Sequence, residues 1–449
     1  MARLFGTDGV RGEANTYPMT AEIALAIGRA AAYICKRHNH RHRIVIGKDT
    51  RISGYMLENA LTAGICSMGV DVLLVGPMPT PGIAFITHNM RADAGVVISA
   101  SHNPYQDNGI KLFSRKGFKL PDSVEDEIEG LVTTGKIHDI RPTAAEIGKA
   151  FRIDDAIGRY IVFCKNTFPY DLSLSGLKIV LDCANGATYK VAPIIFAELG
   201  ADVVTIHDHP DGMNINDRCG ATAPQDLSRT VLEHGADLGL AFDGDGDRLV
   251  AVDERGNLLT GDHIVAICAQ HLKQTGRLSN NLVITTPMSN FGFRVAMREM
   301  GIETAEADVG DRYVLNMMRE RGAVLGGEDS GHIIFLDRHT TGDGIISALQ
   351  LLAIRQARGC PLSQLAQIIR LAPQQLINVN VPAKPPLETI APLQEAIRTA
   401  EQALGDSGRV LIRYSGTQSI CRVMVESMDA KLTAELAERL ANVVRASIR

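Results

Sequence analysis

The segment Arg43-Ile-Val-Ile-Gly47 has the β-branched composition of a buried strand. Apolar residues recur at helical spacing after Ser53, which predicts an amphipathic helix there. A second apolar run, Gly69-Val-Asp-Val-Leu-Leu-Val75, follows that helix. Strand, helix and strand in this order predict a βαβ unit, whose two strands lie parallel in one sheet.

The same pattern occurs twice more along the chain. It begins again at Leu177-Lys-Ile-Val-Leu-Asp182 and at Leu282-Val-Ile-Thr-Thr286, and each run leads into a helix and a strand that opens with glycine. Repetition of the unit predicts three related α/β domains with mixed sheets. The last part of the chain instead predicts a helix from about Glu388 to Ala403 and two strands, the pattern of a small α+β domain. We expect these domains, with boundaries 1–150, 151–254, 255–370 and 371–449, to surround a central cleft.

Composition narrows the possible classes of protein. The 449 residues carry a formal net charge of −5, and no segment concentrates Lys and Arg with aromatic residues, so a nucleic-acid partner is not expected. No segment has the run of ~20 apolar residues that spans a bilayer, and no signal peptide is recognisable. The eight cysteines form no C-x-x-C pair, which suits a reducing cytoplasm. The oligomeric state stays open, with a homodimer as one alternative.

The run Asp243-Gly-Asp-Gly-Asp-Arg248 carries three carboxylates that alternate with glycines. The glycines let the backbone fold inward, so the carboxylates can meet on one hard divalent cation, magnesium or calcium. An EF-hand calcium loop is an alternative, because Glu254 falls at its last ligand position. However, Arg248 occupies the position where such a loop needs glycine, and the flanking residues predict strands instead of helices. An acidic turn without a metal is the other alternative.

The segment Ile98-Ser-Ala-Ser-His-Asn-Pro104 is a strand end that runs into a polar turn. Such a loop can expose one serine as a nucleophile, and Ser101 is the candidate. The spacing is not that of a hydrolase triad, and an ordinary Asn-Pro turn explains the same residues. Asp49-Thr-Arg51 and Asn185-Gly186 also follow predicted strands, where ligands gather in open α/β sheets, but neither is specific alone.

Two further loops have the chemistry of a sugar phosphate site. Arg413-Tyr-Ser-Gly-Thr417, with Arg422 beyond it, combines guanidinium, hydroxyl and glycine groups that bind phosphate, although a plain hairpin turn is the alternative. Gly326-Gly-Glu-Asp-Ser-Gly-His332 offers carboxylate, hydroxyl and imidazole groups that can grip sugar hydroxyls. The N-terminal Gly6-Thr-Asp-Gly-Val-Arg-Gly12 is a weaker phosphate candidate. P-loop, dinucleotide-binding and zinc protease motifs do not occur.

These motifs, taken in order, resemble the α-D-phosphohexomutase family, and the resemblance spans the whole chain. The motifs are Phe5-Gly-Thr-Asp-Gly-Val-Arg-Gly12, Ser99-Ala-Ser-His-Asn-Pro104, Asp243-Gly-Asp-Gly-Asp-Arg248, Gly327-Glu-Asp-Ser-Gly-His332 and Arg413-Tyr-Ser-Gly-Thr417. The opening motif, Val309-Gly-Asp-Arg-Tyr-Val314 and Thr340-Thr-Gly-Asp-Gly344 are similar to the branch of the family that acts on amino-sugar phosphates. The resemblance implies an isomerase that moves a phosphoryl group between two positions of a hexosamine phosphate.

The resemblance also implies the roles of individual residues. Ser101 would be the phosphoserine of the active enzyme, and a phosphoserine oxygen would join Asp243, Asp245 and Asp247 in holding one Mg²⁺ per chain. The other catalytic residues would be Arg11, His102 and Lys111. The sugar would be bound by Arg248, Glu328, Ser330 and His332, and the phosphate that does not react by Arg413, Ser415, Gly416, Thr417 and Arg422. Glucosamine or glucose 1,6-bisphosphate would be the activating phosphoryl donor.

One motif departs from the family pattern. Gln418-Ser419 stands where the family has Glu-Pro, which removes a negative charge and a rigid residue, so the closure of this loop or its affinity can differ. Three alternatives to the amino-sugar reading stay open. They are a phosphomannomutase or phosphoglucomutase of the same family, a metal-dependent phosphatase that uses the Asp run, and a non-enzymatic metal- or sugar-binding module.

Overall fold

The computed structural model describes residues 3–6, 8–36, 41–415 and 419–448. The chain divides into two units, the first formed by residues 1–287 and 303–367 and the second by residues 288–302 and 368–449. Within the described ranges, the strands of the first unit form three sheets, and those of the second unit form one.

The first sheet is built on the βαβ unit predicted around Arg43. Its strands are β1 (Val10–Glu13), β2 (Arg43–Lys48), β3 (Asp71–Pro77), β4 (Ala94–Ile98), β5 (Asp107–Ser114) and β6 (Ala150–Arg152), and its helices are α1 (Ala21–Cys35), α2 (Ser53–Ser67), α3 (Thr80–Asn89) and α4 (Asp122–Thr133). The order is β1-β5-β4-β2-β3-β6, with β2 parallel to β3 and β4, and with β5 antiparallel to β4 and β1. Because Lys48 and Ile98 are register partners at the ends of β2 and β4, the loops after these strands begin side by side.

The second sheet carries the Asp run at one edge. Helix α5 (Ala156–Lys165) precedes it; its strands are β7 (Lys178–Asp182), β8 (Asp202–Ile206), β9 (Leu238–Phe242), β10 (Leu249–Asp253) and β11 (Leu258–Leu259), and its helices are α6 (Val191–Glu198) and α7 (Gln225–His234). The order is β11-β10-β9-β7-β8, with β7 parallel to β8 and β9 and with β10 antiparallel to β9. Residues 243–248 therefore close a hairpin at the carboxyl end of β9.

The third sheet is smaller. Its strands are β12 (Leu282–Thr285), β13 (Glu303–Glu306), β14 (Leu325–Gly327) and β15 (Ile333–Phe335), and the helices of this part of the chain are α8 (Gly261–Gln274), α9 (Phe291–Glu299), α10 (Asp311–Arg321), α11 (Gly344–Arg358) and α12 (Leu362–Leu365). The order is β13-β12-β14-β15, and only β15 runs antiparallel to its neighbour. Helix α9 follows β12 in the chain but belongs to the second unit.

The second unit packs two helices on an antiparallel sheet. Its further elements are β16 (Gln374–Asn380), α13 (Ala391–Leu404), β17 (Gly408–Tyr414), β18 (Ile420–Ser427) and α14 (Ala430–Ser447), with the strand order β16-β18-β17. Leu393 of α13 and Leu440 of α14 share a buried core with Val423 and Val425 of β18. None of the described helices is long and apolar enough to cross a membrane.

The predicted class, α/β with mixed sheets followed by an α+β part, is confirmed. Two details differ. The helix predicted from about Glu388 begins at Ala391, because a 3₁₀ turn occupies Leu387–Thr389. Strand β16 was not predicted, because most of its residues are exposed and only the short stretch Ile377-Asn-Val-Asn380 alternates between apolar and polar residues. The boundaries at residues 150, 254 and 370 remain predictions.

The loops after β7 and β9 touch through their backbones. A Cβ atom on Gly186 would lie 2.4 Å from the Gly244 carbonyl oxygen. The backbone N–H of Ala187 donates to the same oxygen at 2.8 Å. Only glycine fits at such a distance, so Gly186 sets how closely the Asp run approaches the end of β7.

We expect Gly186→Ala to lower the free energy of unfolding by about 1–3 kcal/mol, because the added methyl group meets rigid backbone. Gly158→Ala in α5 is the matched control: its Cβ atom would meet nothing within 4 Å, and alanine favours the helix by about 0.5–1 kcal/mol. Urea unfolding of both variants measures the difference. Equal stability of the two would contradict the close approach.

Candidate active site

Ser101 lies in the turn after β4 and meets the Asp run through one hydrogen bond. Its Oγ donates to Asp243 Oδ2 at 2.6 Å, and its backbone N–H donates to Ser99 Oγ at 2.9 Å. The side chain is buried, and φ is +53°, in the left-handed region that residues other than glycine rarely adopt. The surrounding structure must therefore hold this turn in place.

Arg51, in the loop after β2, holds the turn by its carbonyl groups. Its Nη2 donates to Ser101 O and Asn103 O at 2.9 Å each, and its Nη1 donates to Pro104 O at 2.7 Å. Its Nε pairs with Asp49 Oδ2 at 2.9 Å, and the whole side chain is buried. The sequence alone marked this segment only as a polar loop. Its position after a strand parallel to β4 was the signal that it lies beside the candidate nucleophile.

Asp243, Asp245 and Asp247 converge in the loop between β9 and β10. One carboxylate oxygen of each lies within 4.8 Å of the others, and all three side chains are buried. Asp245 Oδ1 and Asp247 Oδ1 have no hydrogen-bond partner among the described residues. Burial, together with the charges of Asp247 and Asp245, raises the pKa of Asp243 well above its ordinary value. Unpartnered carboxylate oxygens at this spacing fit a hard divalent cation such as Mg²⁺.

Lys111 supplies positive charge beside this Asp cluster. Its Nζ lies 2.9 Å from Asp245 Oδ2 and 3.1 Å from Asp8 Oδ2. Burial opposes the ammonium charge, but Asp245, Asp8 and Asp247 outweigh burial and raise the pKa of Lys111 above its ordinary value. Thr80, the first residue of α3, donates from Oγ1 to the same Asp245 oxygen at 2.7 Å. Two donors thus occupy Oδ2 of Asp245, and Oδ1 is left for a cation.

Arg11 is connected to the site through Asp8. Both Arg11 and Lys119 donate hydrogen bonds to the Asp8 carboxylate, and Lys119 also donates to Asp311. Burial opposes the charge of Asp8, but Lys111, Lys119 and Arg11 lower its pKa well below the ordinary value. The sequence did not single out Asp8, Lys119 or Asp311. Asp8 and Asp311 do lie inside segments that carried the family resemblance, which was the available signal.

His102 and Arg248 complete the polar groups around Ser101 and Asp243. His102 Nδ1 lies 3.3 Å from Ser101 Oγ. Burial, Arg248 and Arg11 lower the pKa of His102 to about 4, so its imidazole is neutral at neutral pH. The backbone N–H of Arg248 donates to Asp243 Oδ1 at 3.2 Å, while its buried Nε lies 4.0 Å from Asp247 Oδ1 and has no hydrogen-bond partner among the described residues. This nitrogen is available to an anionic oxygen of a substrate.

The loop between β14 and β15 carries the residues predicted to bind the sugar. His332 Nε2 lies 3.6 Å from Asp311 Oδ2 and 3.9 Å from Asp247 Oδ2. Both ring nitrogens of His332 are buried without a hydrogen-bond partner among the described residues. Glu328 is half-buried and Ser330 is exposed. The structure therefore brings this loop, through His332, to the Asp cluster.

The predicted phosphate loop belongs to the second unit and joins β17 to β18. Arg413 and Arg422 are register partners across these two strands. Like charges placed opposite each other repel, and a bound anion would relieve the repulsion. Lys384, which the sequence did not single out, donates from Nζ to Ser415 O at 2.6 Å and adds a further cation. Gly416, Thr417 and the departure at Gln418 lie outside the described residues.

The EF-hand alternative is wrong. Strands β9 and β10, not helices, flank the Asp run. Glu254 accepts a hydrogen bond from Ser363 Oγ and is not part of the carboxylate cluster. The Asp cluster is also buried, which excludes a solvated acidic turn.

The chain matches four family models in order. They are described as phosphoglucomutase/phosphomannomutase alpha/beta/alpha domain I (residues 2–138), domain II (159–256) and domain III (260–371) and the C-terminal domain (376–443). The chain therefore belongs to the phosphoglucomutase/phosphomannomutase family, which confirms the resemblance carried by the motifs.

Curated relatives within this family are named phosphoglucosamine mutases. That of Syntrophus aciditrophicus (strain SB) is 59% identical over 445 residues, 99% of each chain. That of Syntrophotalea carbinolica (strain DSM 2380 / NBRC 103641 / GraBd1) is 60% identical over 443 residues, 98% of this chain and 97% of the relative.

Solved structures share the fold over the whole chain. A phosphoglucomutase/phosphomannomutase family protein from Burkholderia thailandensis has a TM-score of 0.81 at 25% identity, covering 99% of this chain and 97% of that one. N-acetylphosphoglucosamine mutase of Aspergillus fumigatus, solved with GlcNAc-6P and magnesium, has a TM-score of 0.68 at 17% identity, covering 99% and 96%. At that identity the likeness concerns the fold alone.

We expect Asp247→Asn to weaken Mg²⁺ binding by at least about 10–100-fold. Mutation of residues that only hydrogen-bond to a metal ligand already costs this much, so loss of a ligand should cost no less. Glu254→Gln is the matched control and should bind as the wild type, because Glu254 is occupied by Ser363. Calorimetric titration with Mg²⁺ measures both affinities. A comparable loss in Glu254→Gln would contradict the assignment of the cluster.

Proposed function

We propose that the chain is a phosphoglucosamine mutase, which interconverts glucosamine 6-phosphate and glucosamine 1-phosphate. The observation that supports the proposal is the 2.6 Å hydrogen bond from Ser101 Oγ to Asp243 Oδ2, because it joins the hydroxyl that we propose as the nucleophile to a carboxylate cluster that fits a divalent cation. The amino-sugar substrate is supported by relatives of that name at 59% and 60% identity over nearly the whole chain. The product would feed UDP-N-acetylglucosamine and cell-wall precursor synthesis.

We assign one Mg²⁺ per chain to Asp243, Asp245 and Asp247 together with a phosphate oxygen on Ser101. When bound, the cation offsets the negative charge of the phosphoryl group during transfer. The unpartnered Oδ1 atoms of Asp245 and Asp247 support this assignment. An all-oxygen ligand set is also the one that Mg²⁺ prefers.

The chain's own residues supply positioning, fixed charge and a proton acceptor, which are the main requirements of phosphoryl transfer. Lys111 is protonated at neutral pH, because its pKa is raised, and it keeps positive charge next to the reacting group. His102 is neutral, because its pKa is lowered to about 4, and its Nδ1 lies 3.3 Å from Ser101 Oγ. It can therefore take up the serine proton or return it. Arg11 stabilises charge through Asp8.

In the proposed cycle, phospho-Ser101 donates its phosphoryl group to the free hydroxyl of the bound monophosphate. The bond between Oγ and phosphorus breaks, a bond from the sugar oxygen to phosphorus forms, and the proton of the sugar hydroxyl passes by way of a base to the Ser101 Oγ that is left. The resulting 1,6-bisphosphate turns end for end and returns its other phosphoryl group to Ser101. Glucosamine or glucose 1,6-bisphosphate would also phosphorylate the resting protein; a variant of the A. fumigatus enzyme was solved with glucose 1,6-bisphosphate.

Two sets of residues would bind the substrate. The sugar would be held by Arg248, Glu328, Ser330 and His332, of which Arg248 and His332 have buried nitrogens without hydrogen-bond partners among the described residues. The distal phosphate would be held by Arg413, Ser415, Gly416, Thr417 and Arg422. The positions of Arg413 and Arg422, directly opposite each other on neighbouring strands, support this second assignment.

The proposal also covers the cellular compartment, the partners and the oligomeric state of the protein. All eight cysteines are free thiols, as in a reducing compartment, and we infer a cytoplasmic enzyme. The formal net charge of −5 supports the expectation of no nucleic-acid partner. A homodimer is kept as the alternative to a monomer.

Because the family models name both activities, a phosphomannomutase or phosphoglucomutase is the second candidate function.

We expect kcat/KM for glucosamine 6-phosphate to exceed that for mannose 6-phosphate and glucose 6-phosphate by at least about tenfold. Polar groups of the protein that are matched to the amino group of the substrate would be left unpaired when a hydroxyl group takes its place. Coupled assays with the three substrates measure this ratio. A higher kcat/KM for either neutral sugar would assign the chain to the second candidate function.

We expect intact-mass analysis to show a species about 80 Da heavier than the unmodified chain, the mass of one phosphoryl group. Ser101→Ala should lose this species, and Ser175→Ala, at an exposed serine, should keep it. If the heavier species were absent from both variants, or present in both, the role of Ser101 would be contradicted. Steady release of inorganic phosphate as the main product would instead indicate the phosphatase alternative.

A further inference from the structure

A second cluster of ligand atoms lies at the carboxyl edge of the second sheet, and the proposed reaction does not use it. Asp182 ends β7, His207 follows β8, and Cys219 precedes the 3₁₀ turn Gly220–Thr222. One ligand atom from each of the three residues lies within 4.8 Å of the other two. Asp182 and Cys219 are fully buried, whereas the His207 side chain is 25% exposed and leaves a path for an ion to enter.

The imidazole of His207 is oriented as that of a metal-binding histidine. Its Nδ1 is buried and makes no aligned hydrogen bond to the described residues, although it lies 3.1 Å from Asp182 Oδ1. Its Nε2 lies 3.5 Å from Asp226 Oδ2, and Asp226 in turn pairs with Arg229 at 2.8 Å. A carboxylate behind the far ring nitrogen fixes the tautomer and the direction of a ligand histidine.

The Asp182 carboxylate is held rigidly and still has room for a cation. Its Oδ1 accepts from the backbone N–H of Ala184 at 2.9 Å, and its Oδ2 accepts from that of Gly220 at 2.8 Å. A carboxylate oxygen can accept two bonds, so one position remains on each oxygen. Orientation by backbone groups means that little rearrangement is needed when an ion binds.

We propose that Asp182, His207 and Cys219 bind a borderline-soft divalent cation of the zinc class, with water completing its coordination. Thiolate, imidazole and carboxylate are the ligands that zinc takes in proteins. Magnesium and calcium prefer all-oxygen sets, such as that of the Asp243 cluster. The two sites therefore select different cations by the chemistry of their donor atoms.

A cation at this site braces both loops that form the candidate active site. A Cβ atom on Gly220 would lie 2.5 Å from the carbonyl oxygen of Phe242, the residue before Asp243. Asn216, three residues before Cys219, donates from Nδ2 to Ser101 O at 2.9 Å. Fixing the Cys219 loop thus stabilises the supports of Ser101 and Asp243 without contact to the reacting groups.

Co²⁺ titration of the full chain in excess Mg²⁺ tests this site, because Co²⁺ shows a sulfur-to-metal charge-transfer band only when a thiolate binds it. We expect wild-type protein to take up about one equivalent of Co²⁺ with this band and with a raised Tm. Cys219→Ser should lose the band. Cys360→Ser, which removes a more accessible thiol, should keep it. Asp226→Asn should weaken Co²⁺ binding by about 10–100-fold.

The proposal would be overturned if wild-type protein showed no band. It would also be overturned if Cys360→Ser lost the band and Cys219→Ser kept it. The cluster would then be an ordinary His207–Asp182 ion pair. If Cys219→Ser does not fold, His207→Gln is the second test variant, because a partly exposed histidine can be replaced with less damage to the fold. Co²⁺ affinity unchanged in folded His207→Gln would also overturn it. These readouts do not depend on turnover, so their failure leaves the proposed mutase activity untouched.

Discussion

The hydrogen bond between Ser101 and Asp243 depends on two loops from different sheets meeting backbone to backbone. A Cβ atom on Gly244 would lie 2.7 Å from Ser101 O, so a side chain there would push the two loops apart. The N-terminus of α3 adds a second link, because the Thr80 N–H donates to Asp245 O at 2.9 Å. Nucleophile and carboxylates thus come from separate parts of the chain, and main-chain contacts set their distance.

Charge balance is the second constraint on the site. Three buried carboxylates are tolerable only with nearby positive charge, and Lys111 alone cannot neutralise them. Phosphorylation of Ser101 would add about −1.5 to −2 further charges. A divalent cation would offset much of this total, and the Asp245 and Asp247 oxygens that lack hydrogen-bond partners among the described residues fit such an ion. Burial, together with the neighbouring charges of Asp247 and Asp245, accounts for the raised pKa of Asp243.

The parts of the site that could be predicted are those whose residues lie together in one short segment. The Asp run predicts a cation site from its own six residues, and Ser101 became a specific candidate once the ordered motifs were considered. The contacts of Arg51 with Ser101 and of Asp8 with Lys111 were not predicted, because these partners lie far apart in the sequence and only the strand order brings them together. For the same reason, the grouping of α9 with the second unit was not predictable from local patterns, whereas β16 was missed because its apolar alternation is short and most of its residues are exposed.

The central claim is that Ser101 and the Asp243 cluster form one phosphoryl-transfer site. The most direct test is a single-turnover experiment in which enzyme carrying radiolabelled phosphate on Ser101 is mixed with unlabelled glucosamine 6-phosphate and Mg²⁺. The account predicts that the label leaves the protein and appears in sugar phosphate at least as fast as steady-state turnover. Label that stays on the protein during turnover, or that leaves only as inorganic phosphate, would contradict it.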